Sequence, residues 1–202
     1  RAMADVLESK GRDLMRLSMD HAIERGICRR GSQLWHVDHG TEHLLADLAG
    51  IATLRGVHNA QNAAAAIAAV RVLGVADEVI RKGLKTFPGL DHRMQPLGHI
   101  GRALIVNDSK ATNAEAAEKA LATFPSGIHW IIGGVAKDGG IASLAPYFGR
   151  VDHAYLIGKS TPLFASQLGD KVPMSESGTL EQAFSDAVAR ANASHHPEPV
   201  VL

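Results

Sequence analysis

The chain has 202 residues, of which 46% are hydrophobic, enough for one large domain or two modest ones. Lysine plus arginine number 21, as do aspartate plus glutamate, so no bulk positive charge is present to hold a nucleic acid or an anionic membrane surface. Apolar runs stay far below the roughly 20 residues that span a bilayer, and no signal peptide is recognised. We therefore expect a cytoplasmic protein without membrane insertion or nucleic-acid partners, and the single cysteine fits a reducing compartment.

The first part of the chain indicates mixed α and β structure. Asn59, which directly precedes an alanine-rich run, is predicted to cap the helix that follows. Pro88 and Gly89 lie in a predicted hinge, so we place one domain at residues 1–90 and a second at 91–202. In chain order the sequence predicts a helix over 2–10, a short strand over 14–18, a hairpin over 26–37, and helices over 60–73 and 76–86.

The second part alternates regularly between apolar strands and helices. Continuous apolar strands separated by helices are typical of an α/β domain with a doubly wound, mostly parallel sheet covered on both faces. In such sheets the chemistry lies on loops at the carboxyl ends of the strands. The predicted strands cover 103–106, 129–132, 154–157, 172–173 and 200–202, and the predicted helices cover 114–123, 141–148, 162–167 and 180–191.

A polar loop, residues 107–113, follows the first of these strands, and each of its residues except Ala111 carries a polar group. The carboxylate of Asp108 could accept hydrogen bonds from ribose hydroxyls. Lys110 and Thr112 could offer a charge and a hydroxyl to an anion near the N-terminus of the next helix. The alternative is a solvated connection in which Thr112 or Asn113 caps that helix.

A glycine loop, residues 133–140, follows the next strand and encloses Lys137 and Asp138 between two pairs of glycines. Glycines let backbone amides approach a ligand closely, and Lys137 is expected at the same sheet edge as Lys110. The spacing matches neither a Walker A motif nor a dinucleotide fingerprint. We favour an anion site over a flexible turn.

Three further side chains could contact a nucleotide. Asn59 and Asn62 lie three residues apart, so they share one edge of a helical turn and could contact a base. Arg93 follows the hinge and could reach a phosphate. Each has an ordinary alternative, namely helix capping by Asn59 and a surface role for Asn62 and Arg93. The eleven histidines match no zinc spacing, so no metal site is predicted among them.

Four segments occur in the order found in one family of ligases. Taken together, residues 58–62, residues 87–93, the polar loop, and Gly133-Gly134 with Lys137 resemble the Mur ligase family. Within that family, the run from Asp108 to Asn113 is typical of the member that joins D-glutamate to UDP-N-acetylmuramoyl-L-alanine. The resemblance is strongest over residues 50–160.

This resemblance implies an ATP-dependent, ADP-forming ligase in peptidoglycan synthesis, with ATP, Mg²⁺, D-glutamate and UDP-N-acetylmuramoyl-L-alanine as its small-molecule partners. It implies the end of a central ATPase domain followed by a Rossmann-like domain that is cut short. Asn59 and Asn62 would contact adenine, Arg93 the phosphates and Asp108 the ribose. D-Glutamate would be held by three side chains: Lys110, Thr112 and Lys137.

The sequence lacks the phosphate loop of this family, and the resemblance places the magnesium ligands and a carbamylated lysine before residue 1. We therefore expect a piece that is inactive alone, and no catalytic residue is predicted in it. Two alternatives remain open: another Mur or folate-type amino-acid ligase, and a nonenzymatic nucleotide-binding module. The sequence does not predict the oligomeric state.

Overall fold

The computed structural model describes residues 6, 7 and 9–202. Most of the helix predicted over 2–10 therefore lies outside the described residues. The chain divides into two compact units, residues 1–88 and 89–202. Each unit has a hydrophobic core of its own.

The first unit packs two helices on a small sheet. Among its described residues, four strands pair in chain order, with β1 parallel to β2 and the later pairs antiparallel. The predicted hairpin is confirmed as β2 and β3, which turn at residues 31–32. Leu34, Leu45 and Ile67 are fully buried between sheet and helices. The elements are β1 (Leu17–Ser18), β2 (Arg25–Arg30), β3 (Gln33–Asp38), β4 (Thr41–Asp47), α1 (Val57–Val72) and α2 (Asp77–Lys85).

The alanine-rich helix α1 begins earlier than the sequence predicts. Its N-cap is Gly56, whose φ of 94° lies in a region that favours glycine, so the prediction that Asn59 is the cap is wrong. Asn59 lies within the first turn, and its Nδ2 donates a hydrogen bond to the carbonyl of Arg55 at 2.9 Å. The glycine therefore determines where the helix starts.

The second unit contains a six-stranded sheet among its described residues, in the order β5-β6-β10-β7-β8-β9. Edge strand β5 is antiparallel to β6, and the other pairs are parallel. The strands are β5 (Gln95–Ile100), β6 (Ala103–Asn107), β7 (Ile128–Gly133), β8 (Val151–Ile157), β9 (Met174–Gly178) and β10 (Val200–Val201). The helices are α3 (Ala114–Thr123), α4 (Thr161–Leu168) and α5 (Leu180–Ala193), with a 3₁₀ helix at Ala142–Arg150.

Helices cover both faces of this sheet. Successive side chains of its strands point to opposite faces, and each face carries apolar side chains that pack against helices. Trp130 and Leu156 pack on one face with residues of α3, α4 and the 3₁₀ helix. Tyr155 and Val201 pack on the other face against the alanines of α5. The predicted α/β fold with a doubly wound, mostly parallel sheet is thus confirmed.

Three local features of this unit differ from what the sequence predicts. Strand β9 lies at Met174–Gly178 instead of 172–173, because this polar edge segment lacks an apolar run. Strand β5 was not predicted, since Pro96 and Gly98 interrupt its sequence at a bulge. The helix predicted over 141–148 is a 3₁₀ helix that contains Pro146.

The alanines of α5 allow a test of this packing. Ala187 is fully buried against the sheet, so Ala187→Leu is expected to lower the free energy of unfolding by about 1–3 kcal/mol through overpacking. Ala189 is exposed on the same helix, so Ala189→Leu is the matched control. Denaturant unfolding of both variants measures the difference, and equal stability would show that α5 does not pack tightly.

Candidate functional site

A cavity of about 810 Å³ opens at the carboxyl ends of β6, β10 and β7 in the second unit. The polar loop after β6 and the glycine loop after β7 both line it, because parallel neighbouring strands end at the same sheet edge. Asp108, Thr112 and Lys137 are among its lining residues. The cavity lining thus combines polar and charged groups with apolar side chains that include Trp130 and Phe184.

The polar loop is fastened to the segment that precedes β5. The backbone N–H of Met94 donates to Asp108 Oδ1 at 2.8 Å, and the N–H of Lys110 donates to the carbonyl of His92 at 3.0 Å. The Asn107 amide nitrogen lies 3.1 Å from His92 Nδ1. His92 and Met94 adopt positive φ values of 63° and 45°, a conformation that is uncommon for such residues. These contacts fix the shape of the loop.

Asp108 has a perturbed ionisation. Burial raises the pKa of its carboxyl above the usual value, while the Met94 hydrogen bond and the positive charge of Arg93 act in the opposite direction. Asp108 is therefore a partly buried acceptor with one oxygen already bound by the backbone.

Helix α3 begins immediately after the polar loop. Asn113 is its N-cap, and its Oδ1 accepts a hydrogen bond from the N–H of Ala116 at 2.8 Å. The alternative that Asn113 caps the helix is therefore correct. Thr112 is not used as the cap, so its hydroxyl is available beside the positive end of the helix dipole.

The glycine loop carries Lys137 on an exposed segment that lines the cavity. The N–H of Gly140 donates to the carbonyl of Lys137 at 2.9 Å, which closes a turn around the lysine. Ser160 and Gln167 contact this loop from the chain after β8, and the sequence analysis missed both. No motif marks them, since a serine before a helix and a glutamine within one are ordinary.

The predicted site residues do not all line the cavity. Lys110 and Arg93 are exposed residues outside the set that lines it, although their backbones belong to the same fastened region. Asn59 and Asn62 lie on the first two turns of α1 in the first unit, where Asn62 is exposed.

Two histidines pair across neighbouring strands of the first unit. His36 on β3 is paired in register with His43 on β4, whose Nε2 lies 2.7 Å from Asp77. Within the described part of the chain, no three His, Cys, Asp or Glu side chains come together as a metal site. Nor does any described helix combine the length and apolarity needed to cross a membrane.

Comparison with known proteins identifies the class. The family model described as Mur ligase, glutamate ligase domain matches residues 92–202, so the chain belongs to the Mur ligase family and the predicted resemblance is confirmed.

Two curated relatives are named UDP-N-acetylmuramoylalanine--D-glutamate ligase. The chain is 51% identical over 201 residues to that of Rhizobium meliloti and 53% identical over 200 residues to that of Agrobacterium fabrum. Each match covers 99% of this chain, which spans 43% and 42% of the two relatives. The crystal structure of MurF ligase from Thermotoga maritima in complex with ADP is similar at a TM-score of 0.53 and 18% identity, covering 88% of this chain and 41% of that one.

Proposed function

We propose that this chain forms the acceptor-binding part of an ATP-dependent, ADP-forming ligase that joins D-glutamate to UDP-N-acetylmuramoyl-L-alanine in peptidoglycan synthesis. The observation that carries the proposal is that Asp108, Thr112 and Lys137 line one cavity. High identity to ligases named for this reaction supports the choice of acceptor.

The acceptor chemistry suits these groups. Free D-glutamate carries two carboxylates, and Lys137 offers a cation while Thr112 offers a hydroxyl donor. Lys110, an exposed residue between the lining residues Ser109 and Ala111, adds a second cation. Held in this way, the acceptor's amine is oriented toward the activated carbonyl, and this positioning removes much of the entropic barrier.

The bond changes follow from the two substrates. The carboxylate of UDP-N-acetylmuramoyl-L-alanine takes a phosphoryl group to become an acyl phosphate. The uncharged amine of D-glutamate attacks the carbonyl carbon, an amide forms, the amine loses a proton and inorganic phosphate leaves. ATP supplies the phosphoryl group when it is bound, and ADP is released.

The residues assigned to ATP have suitable chemistry. Asn59 and Asn62 can present amides to adenine, and Arg93 is an exposed cation for phosphates. Asp108 is proposed to accept from the ribose hydroxyls through the oxygen that Met94 leaves open. The ADP complex of Thermotoga maritima MurF supports a nucleotide ligand for this family.

Among the described residues, no three His, Cys, Asp or Glu side chains come together. We assign the Mg²⁺ ligands and the phosphate loop to the part of the relatives that this chain does not span. We therefore expect no turnover by the 202-residue chain alone. A cytoplasmic location of the complete ligase is part of the same proposal.

A chimera tests the proposal. This chain replaces the matching segment of the Rhizobium meliloti relative, and phosphate release is measured with ATP, UDP-N-acetylmuramoyl-L-alanine and either D- or L-glutamate. The expected result is release that depends on D-glutamate, within about tenfold of the unaltered relative and far slower with L-glutamate, since the acceptor contacts are stereospecific.

Two results would count against the proposal. One is a folded chimera that binds ATP but shows no dependence on D-glutamate. The other is phosphate release by the isolated chain at the rate of the unaltered relative, which would overturn the assignment of the missing machinery to another segment.

A further inference from the structure

Two side chains outside the glycine loop hold its ends. On the first side, Ser160 Oγ accepts a hydrogen bond from the N–H of Ala136 at 2.7 Å, and the N–H of Ser160 donates to the carbonyl of Gly134 at 3.2 Å. Ser160 is the N-cap residue of α4, yet its hydroxyl caps no amide of that helix. The group that usually caps a helix start is instead bound to the neighbouring loop.

On the second side, Gln167 of α4 holds the end of the loop with both of its amide atoms. Its Oε1 accepts from the N–H of Ile141 at 2.7 Å, and its Nε2 donates to the carbonyl of Gly139 at 3.0 Å. One half-buried side chain thus satisfies both a donor and an acceptor of the backbone. It acts as a bidentate clamp.

Close packing explains two of the glycines at these contacts. A Cβ added to Gly140 would lie only 2.4 Å from Gln167 Oε1, so a larger residue would displace the clamp. A Cβ on Gly158 would lie 3.0 Å from the backbone nitrogen of Gly134, where the loop passes the end of β8. The loop and the start of α4 are therefore in direct contact, and glycine permits this approach.

Lys137 lies between the hydrogen bonds made by Ser160 and those made by Gln167, which we call the two clamps. A loop with four glycines loses much conformational freedom when it is ordered, so an unrestrained version would present its lysine in many places. Ser160 fixes the residue before Lys137, and Gln167 fixes the segment after it. The lysine is thereby held at the cavity while its own side chain stays exposed.

We infer that Ser160 and Gln167 are positioning residues that hold the glycine loop so that Lys137 meets a carboxylate of the acceptor amino acid. The inference rests on the proposed function for its ligand, whereas the clamps themselves are a property of the fold. Neither side chain belongs to the set that lines the cavity, so both act through the loop.

Amide hydrogen exchange of the 202-residue chain tests the clamps directly. In Ser160→Ala, exchange at Ala136 is expected to accelerate about tenfold, the factor for loss of one hydrogen bond, and in Gln167→Leu the same is expected at Ile141. Ser166→Ala is the matched control, because its hydroxyl bonds only the carbonyl of Leu163 within α4. Unchanged exchange at Ala136 and Ile141 would overturn the clamps.

Kinetics of the chimera test the consequence for the acceptor. Ser160→Ala and Gln167→Leu are each expected to raise the KM for D-glutamate about tenfold or more while the KM for ATP stays the same, because a displaced lysine weakens one ligand only. Ser160→Thr retains the hydroxyl and should restore the KM. Gln167→Glu keeps the acceptor for Ile141 but loses the donor to Gly139, so an intermediate KM is expected.

The outcomes separate the two proposals. If the unmodified chimera uses D-glutamate and both variants exchange faster with an unchanged KM, the positioning role is wrong. If phosphate release by the unmodified chimera does not depend on D-glutamate, the proposed function is wrong, and so is the role of the clamps in acceptor binding. The hydrogen exchange of Ala136 and Ile141 still tests the clamps themselves.

Discussion

Below pH 6.5 the second unit is expected to lose stability steeply, because two histidines are buried in its core as neutral groups. His129 on β7 is 1% exposed and His153 on β8 is 5% exposed, and the two are paired in register. His129 Nδ1 lies 3.1 Å from the hydroxyl of Tyr155, and His153 Nε2 lies 2.7 Å from Ser175 Oγ. His129 Nε2 has no partner among the described residues.

The direction of the change in stability with pH follows from the pKa of each imidazole. Burial lowers the pKa of both histidines below their ordinary 6.5, because the charged form loses its hydration. The positive charge of Arg190 on α5 lowers both pKa values further. At His129 the negative charge of Asp152 acts in the opposite direction, and His196 lowers the pKa by a smaller amount. Burial raises the pKa of Tyr155 to about 12, and the negative charge of Asp186 acts in the same direction, so Tyr155 stays neutral throughout.

The unfolded chain therefore takes up protons at a pH where the folded chain does not. The contribution of the two histidines is fully present above pH 6.5 and is lost as the pH falls through their folded pKa values. For two protons, the slope of the free energy of unfolding is at most about 2.7 kcal/mol per pH unit.

Denaturant unfolding between about pH 7.5 and pH 5 measures this slope, which reports the protons that folding excludes. Trp35 lies in the first unit and Trp130 in the second, so a Trp35→Phe background lets Trp130 fluorescence report the second unit alone. His129→Gln with His153→Gln should flatten the slope. His99→Gln is the control because His99 is exposed on β5. A double variant with an unchanged slope would contradict the prediction.

Replacing Lys137 with alanine is expected to raise the KM for D-glutamate in the chimera about a hundredfold, which corresponds to about 2.8 kcal/mol. Charge-assisted hydrogen bonds to a carboxylate are among the strongest polar contacts, and this lysine faces the cavity from a held loop. The KM for ATP should remain unchanged, since the lysine is assigned to the acceptor.

Two further variants sharpen this test. Lys137→Arg retains the charge but changes its shape, so partial recovery is expected. Lys119→Ala removes an exposed lysine of α3 that lies 3.9 Å from Glu118 and outside the cavity lining, and no change is expected. A Lys137→Ala chimera with a normal KM for D-glutamate would remove the lysine from the acceptor site.

The sequence predicted most strands and helices because their apolar runs and periodicity are local properties. It could not predict that β10 pairs between β6 and β7, since strand order depends on contacts between distant residues. It missed β5 because proline and glycine conceal the strand pattern, and it misplaced the start of α1 because a left-handed glycine overrode an asparagine.

The site could likewise be predicted only where it depends on local sequence. Asp108, Thr112 and Lys137 could be selected from sequence because polar residues at strand ends stand out beside apolar strands. The clamps formed by Ser160 and Gln167 could not, because a hydroxyl or amide is informative only once its distant backbone partner is known. The roles of Asp108, Thr112 and Lys137 are proposals, as are those of Lys110, Arg93, Asn59 and Asn62.

The position of β10 has a consequence for folding. Val200 pairs with Leu104 on one side and with Ile128 on the other, so the central strand comes from the latest of the described segments. During synthesis, β6 and β7 emerge long before their shared neighbour and cannot complete their pairing. Closing the sheet around so distant a strand raises the contact order, which favours slow folding and leaves two edges exposed to wrong partners until β10 arrives.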